Sequence, residues 1–259
     1  MFEMKRTVTY SQVGSNITMD MAGIVHYLQD CALAHSESIG RGVEHVDKVK
    51  RAWFLSSWQI EVERFPKYQE HVTVRTWPHE FKSMYGYRNF DMLDSEGKQI
   101  VCANSIWIFM DLNKMCPMKP TEDDVKGYGV EPAIDMEYAP RKIKQLGEEY
   151  RVEEDRLLNI KYGDICSKEN LTAINNDFLK IFVKKSFLDS NNHVNNGRYV
   201  SEALDLIDME GIKKMRVDYR KAAVLGDVMY PVVYMNDHIT QVVLNDSEGS
   251  PYVLVEVAE

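Results

Sequence analysis

Apolar residues recur at three- and four-residue spacings in two stretches of this chain. Val25, Leu28, Cys31, Ala32 and His35 predict one buried face of a helix over 21–39; Tyr199, Val200, Ala203, Leu204 and Ile207 predict another beginning near Asn195. Around each helix the period shortens to two. In the first half Trp58, Ile60 and Val62 alternate with Ser57, Gln59 and Glu61, and strands are expected at 4–10, 53–63, 72–77, 84–93 and 99–110. In the second half they are expected at 180–187, 212–220, 227–235, 239–244 and 252–257. The order of elements is thus the same twice, strand, helix, then four strands, and implies an α+β fold built from two helix-plus-antiparallel-sheet repeats.

Two local matches support duplication. Asp94-Ser95-Glu96-Gly97 and Asp246-Ser247-Glu248-Gly249 are the same turn sequence, 152 residues apart. Tyr27 and Tyr199 are 172 apart, and that offset sets Leu28 on Val200, Cys31 on Ala203 and Ala32 on Leu204. The difference places a longer helix-to-strand connection in the first half, at 38–52. Between the halves, 113–177 carries Pro117, Pro120, Pro132, Pro140 and a charged run over 148–156. It is expected to wrap from the last strand of one half to the first of the other. The expected layout is a first repeat over 1–125, a connecting segment over 126–178 and a second repeat over 179–259.

Within the second repeat, one stretch gathers unusual polar chemistry. Asp189, Asn191, His193, Asn195 and Asn196 fall just ahead of the second helix, where backbone N–H groups lack partners and the helix dipole favours developing negative charge. An imidazole there can take a proton from water, and a neighbouring amide can orient that water. The same residue types also make ordinary helix caps and turns, so a capped turn with an incidental histidine stands beside the catalytic reading.

Composition narrows the classes. With 31 Lys and Arg against 40 Asp and Glu the formal charge is −9, which argues against a broad nucleic-acid surface. Basic residues cluster locally at Arg41, Lys48, Lys50 and Arg51, and again at Lys213, Lys214, Arg216, Arg220 and Lys221. Solvated surface is the plain reading of both clusters, and the second would also suit an acidic partner or a phosphate. Cys31, Cys102, Cys116 and Cys166 are scattered without metal-ligand spacing, so no metal and no disulfide framework is expected. The first residues run into a strand pattern without an apolar signal core, and no apolar run reaches the roughly 18–20 residues of a membrane span. A cytoplasmic protein is expected.

The chain resembles the acyl-ACP thioesterases, bacterial enzymes similar to those of plant plastids. Asp189, Asn191, His193, Val194, Asn195, Asn196 and Tyr199 stand as the family's Asp-x-Asn-x-His-Val-Asn-Asn-x-x-Tyr signature. His26-Tyr27-Leu28-Gln29-Asp30-Cys31-Ala32, the strand opening at Trp53, and Ser105-Ile106-Trp107-Ile108-Phe109-Met110 resemble first-half segments of that family. The resemblance implies a tandem (double) hotdog, with an acyl-chain pocket shaped by the first repeat and catalysis in the second. It implies hydrolysis of fatty-acyl thioesters on acyl carrier protein in fatty acid biosynthesis, without a cofactor. His193 would act as the base on water or orient it. Asn191 would position water or the thioester carbonyl, Asp189 would hold geometry and support an imidazolium, and backbone N–H groups at the helix start would serve the oxyanion.

Two points depart from the family. Met19 and Met21 are expected at the first-half positions matching Asn191 and His193. In the second half Ala222, within Tyr219-Arg220-Lys221-Ala222-Ala223, stands where a glutamate is expected, and neither Asp218 nor Asp227 fits its spacing. An acyl-CoA thioesterase and a non-catalytic acyl-binding module are therefore kept as alternatives. Acyl chain length, carrier and oligomeric state, a homodimer included, are open at this stage.

Overall fold

In the computed structural model, residues 1–162, 179–208 and 211–259 are described. Cys166 and the last part of the expected connecting segment lie outside them. The chain divides into two compact units, Met1–Arg141 and Lys142–Glu259.

The first unit is an antiparallel sheet with a long helix. Its strands are β1 (Phe2–Thr7), β2 (Arg51–Val62), β3 (His71–Lys82), β4 (Tyr85–Leu93) and β5 (Gln99–Asp111), hydrogen-bonded in the order β1-β3-β4-β5-β2. A short β6 (Cys116–Pro117) adds to β5. Helix α1 (Met21–Ser38) starts at Asp20, whose carboxylate accepts the Gly23 N–H at 2.6 Å, a side-chain N-cap. All five residues of its expected face, Val25, Leu28, Cys31, Ala32 and His35, are buried. Val72, Val74 and Phe90 of the sheet are buried too, and the Cys31 thiol donates to the Val74 carbonyl at 3.5 Å.

The connection at 38–52 holds a further helix, α2 (Val43–Val49), which periodicity did not reveal. Its basic cluster is largely neutralised: Arg41 pairs with Asp123, Lys50 with Asp47 and Arg51 with Asp124. Asp123 and Asp124 belong to a one-turn helix, α3 (Glu122–Val125).

The second unit repeats the plan on a smaller scale. After α4 (Glu154–Tyr162) and a two-residue β7 (Ile181–Phe182) come helix α5 (Asn196–Leu204), β8 (Lys214–Tyr219), β9 (Val228–Met235), β10 (Ile239–Asn245) and β11 (Pro251–Ala258). The antiparallel order is β8-β11-β10-β9-β7. Two expected strands are shorter than their patterns. The one over 4–10 ends at Thr7 and the one over 180–187 at Phe182, each followed by a 3-10 turn, Tyr10–Gln12 and Lys185–Phe187. In both the chain leaves the sheet edge to reach the helix start, so alternation continues where pairing has stopped. Helix α5 likewise ends before Ile207, which is buried in the turns that follow.

The segment between the repeats is divided between the two units. Residues 131–141 cross the first sheet along a row of side chains that substitute for backbone. Trp77 donates to the Pro132 carbonyl, and Asn89 Oδ1 accepts from Ile134 N–H and the Tyr138 hydroxyl. Gln59 exchanges bonds with the Glu137 carbonyl and the Ala139 N–H. Residues 143–152 are tied to the second sheet in the same manner, Gln241 bonding Leu146 N–H and the Lys144 carbonyl while Asp218 accepts from Ile143 N–H. Buried polar side chains in these rows are satisfied by the strap they hold.

The turns at Asp94 and Asp246 are alike bond for bond. Asp94 Oδ1 accepts from Glu96 and Lys98 N–H, and Asp246 Oδ1 from Glu248 and Ser250 N–H. Gly97 and Gly249 close them at φ 82° and 81°, a left-handed conformation that suits glycine. The second oxygen of each carboxylate takes a cation, Arg64 in one turn and Lys221 in the other.

Candidate active site

The polar stretch of the second unit folds as a tight loop closed by a Leu188–Val194 bridge. Asp189 organises it: its N–H donates to the His193 carbonyl at 2.8 Å, and its Oδ1 accepts from Asn191 N–H at 2.8 Å and His193 N–H at 3.2 Å. Asn192 occupies the left-handed region at φ 61°, a conformation asparagine tolerates better than most residues. Asn195 then caps α5, its side chain accepting from Gly197 N–H at 2.9 Å. Asp189 and Asn195 thus hold the backbone of the loop and of the helix start. Among the described residues neither ring nitrogen of His193 nor the side-chain amide of Asn191 is hydrogen-bonded, so both remain available to a substrate. His193 is half-buried and Asn191 exposed.

A second chain segment lies against this loop. Val194 N–H donates to the Ala223 carbonyl at 2.9 Å, and His193 pairs with Val224 in antiparallel register. His193 and Val224 form a non-hydrogen-bonded pair, whose side chains share one face. Val194 and Ala223 are buried on the other. Ala222, two residues before Val224, is exposed. Asp218 is no substitute for the expected glutamate. It is 1 % exposed on the opposite side of β8 from Tyr219, paired with Arg220 Nε at 2.9 Å. Asp227 is also engaged, accepting from Val224 N–H and the Tyr252 hydroxyl.

Two tyrosines fasten the site, and the sequence reading did not single out their bonds. The Tyr199 hydroxyl accepts the buried Ala223 N–H at 2.7 Å, and the Tyr219 hydroxyl donates to the Asn196 carbonyl at 3.0 Å. Burial pushes Tyr199 up to about 12 and Tyr219 well above the ordinary phenol range, so both stay neutral.

Three expectations are corrected here. Met19 and Met21 do not match Asn191 and His193. The first-unit loop has the same bonds, Gly14 N–H to Thr18 carbonyl, Ile17 N–H to Gly14 carbonyl and Met19 N–H to Pro66 carbonyl. Ile17 at φ 59° stands for Asn192, and Asp20 for the cap Asn195. Gly14, Asn16 and Thr18 therefore correspond to Asp189, Asn191 and His193, an offset of 175. The offset of 172 joined two tyrosines that lie one helical turn apart, because residue identity repeats readily along one helical face. The first unit keeps the asparagine and lacks the carboxylate and the imidazole.

The oxyanion assignment also changes, since Gly197 N–H is taken by Asn195 Oδ1 and Arg198 N–H by the Asn195 carbonyl. Finally, the basic cluster around β8 is mostly paired, Arg216 with Glu256, Arg220 with Asp218 and Lys221 with Asp246. Lys214 begins the strand that Tyr219 ends, about 16 Å away at a rise of about 3.3 Å per residue.

Residues 1–128 match the family model of the acyl-ACP thioesterase N-terminal domain, and residues 172–252 that of its C-terminal domain. The chain belongs to the acyl-ACP thioesterase family. It is 22% identical over 260 residues to the chloroplastic palmitoyl-acyl carrier protein thioesterase of Gossypium hirsutum, covering 95% of this chain and 58% of that protein. Against the chloroplastic oleoyl-acyl carrier protein thioesterase 1 of Arabidopsis thaliana the identity is 24% over 240 residues, covering 88% and 62%. The chain thus spans somewhat over half the length of these relatives.

Solved structures agree on the fold. An acyl-ACP thioesterase from Bacteroides thetaiotaomicron superposes with a TM-score of 0.79 at 21% identity, covering 99% of this chain and 96% of that one. The 12:0-ACP thioesterase of Umbellularia californica gives 0.78 at 16% identity, with the same coverage. Among the described residues no helix is long and apolar enough to cross a membrane, and no group of three or more His, Cys, Asp or Glu residues is placed to hold a metal ion.

Proposed function

We propose that this protein hydrolyses fatty-acyl thioesters carried on acyl carrier protein, releasing free fatty acid in the cytoplasm. Each unit is read as a hotdog, its helix laid across a bent sheet, with the first shaping the acyl pocket and the second carrying the chemistry. The observation that supports this most is the loop at 188–195, where one carboxylate fixes the backbone of both Asn191 and His193 and leaves their side chains free.

In this mechanism His193 accepts a proton from water as the oxygen attacks the thioester carbonyl, and Asn191 orients the water or the carbonyl. Collapse of the tetrahedral intermediate expels the thiolate, to which His193 returns the proton. Asp189 acts chiefly by holding the loop. No covalent nucleophile is required. The first unit's Cys31 and Cys102 thiols are pushed up to about 12 and 11 by burial, too high for a thiolate at neutral pH.

His193→Ala should lower turnover by about a hundredfold to ten-thousandfold while the circular dichroism spectrum is kept. Release of free thiol from acyl-ACP and acyl-CoA measures this and names the carrier. Wild-type activity in the variant would end the assignment. Ala222 favours one other reading, a binding module without catalysis. Absence of thiol release from both substrates by the unaltered protein would establish that reading instead.

A further inference from the structure

The two loops share a frame but not a charge. The turn Lys185–Phe187 leads directly into the His193 loop: the Phe187 carbonyl accepts from Asn195 N–H at 2.8 Å. Val183, just before it, bonds the Asp227 carbonyl through its N–H and accepts from Gly226 N–H. Lys184 and Lys185 are therefore held against both segments that build the site. Both are exposed, and neither forms an ion pair among the described residues.

Arg198, in the first turn of α5, lies 4.2 Å over the Phe187 ring and pairs with Glu202 at 2.8 Å, with its side chain 44% exposed. Val224 and Leu225, 44% and 50% exposed, complete an apolar rim beside His193. The acids nearby are committed: Asp189 to backbone N–H groups, Asp227 to Tyr252 and Val224 N–H, Glu202 to Arg198.

The first unit supplies an internal control. Its matching positions, fixed by the same hydrogen bonds, hold Thr9, Tyr10 and Gly23 in place of Lys184, Lys185 and Arg198, and a lone lysine, Lys67, in place of Val224. A turn and cap that needed cations for folding would carry them in both copies. They occur on the copy with the imidazole, in a chain whose formal charge is −9.

We propose that the unpaired Lys184 and Lys185, with Val224 and Leu225, form the docking surface for an acidic carrier protein, so that the thioester arrives beside His193. This inference rests on the thioesterase reading above. It replaces the basic strand β8 as the docking patch, since the free lysines there lie at its far end.

Binding of fluorescently labelled holo-acyl carrier protein, followed by anisotropy, tests the surface directly. The double variant K184E/K185E should bind about tenfold more weakly at low ionic strength, the deficit shrinking toward about 0.5 M salt. K213E/K214E changes the net charge equally and should bind within about twofold of wild type. Wild-type affinity in K184E/K185E, or equal losses in both variants, would overturn the proposal.

Kinetics separate the two layers. K184E/K185E should raise KM for acyl-ACP and leave hydrolysis of an acyl-N-acetylcysteamine thioester unchanged. Equal loss on the small thioester would mean that the lysines serve the loop itself. An equal rise in KM for acyl-CoA would mean that they recognise the phosphates of the arm. Either result excludes a protein-docking surface. Failure of the wild type to cleave any thioester would remove the thioesterase reading, while the anisotropy would still decide the surface.

Discussion

At the scale of single residues, the site depends on which oxygen of which side chain holds the backbone. Asp189 Oδ1 serves two N–H groups, a task an amide oxygen can also perform. Asp189→Asn should therefore keep most of the activity, whereas Asp189→Ala should lose at least about tenfold as His193 loses its fixed position. Equal, severe losses in both would instead show that the negative charge supports the imidazolium in the transition state. Ala222 poses the complementary question. A glutamate there, two residues from the partner of His193, would add a second proton acceptor, and Ala222→Glu should raise the rate on a medium-chain thioester. No gain, measured with expression and fold intact, would mean that the chemistry is complete without that carboxylate.

At the scale of elements, buried polar contacts lock helices to strands. Tyr199 on α5 satisfies the N–H of fully buried Ala223. Tyr199→Phe leaves that donor unpaired, and the denaturation midpoint should fall by an amount equivalent to about 1–3 kcal/mol. In the first unit, His35 Nδ1 of α1 accepts from the buried Arg88 guanidinium at 3.1 Å, and the ring stacks on Phe2. Burial, reinforced by the Arg88 charge, lowers its pKa from 6.5 to about 4.

The unfolded chain thus binds a proton between those pH values that the folded chain refuses. Stability is full above about pH 6.5 and falls as the pH is lowered toward 4, by up to about 3 kcal/mol from this group. Thermal melts between pH 7 and 5 should show the slope, and His35→Gln should flatten it. An unchanged slope would place the proton uptake elsewhere.

At the scale of the whole chain, duplication makes equivalent residues predict one another. Asp94 and Asp246 shape identical turns, each accepting two N–H groups and one cation. Replacing either with alanine should lower the urea midpoint to a similar extent. A neutral effect at one turn and a large one at the other, read in the same denaturation series, would break the equivalence. The loops diverged where the turns did not. Gly14, Asn16 and Thr18 keep the backbone path of Asp189, Asn191 and His193, so both copies share one frame while the carboxylate and the imidazole occur only in the second.

Periodicity by itself determined both helices, nearly every strand and the repeat, because each element buries one face and the spacing of apolar residues records that face. The polar loop was legible as a candidate site, since Asp, Asn and His ahead of a helix are few and conspicuous. What the sequence could not decide was which residues meet across the chain. The helix α2 lacked a wide apolar face, two strands stopped where edge pairing ended, and the match between repeats slipped by one turn because side-chain identity is a weaker guide than hydrogen-bond register.

Pairing of His193 with Val224, the bond from Ala223 to Tyr199, and the neutralisation of Arg216, Arg220 and Lys221 are contacts between residues distant in sequence. Local pattern carries no record of such contacts. Only the folded register set Val224 opposite His193 and tied the turn that carries Lys184 and Lys185 to both segments, because both follow from how two separate segments are pinned to one loop.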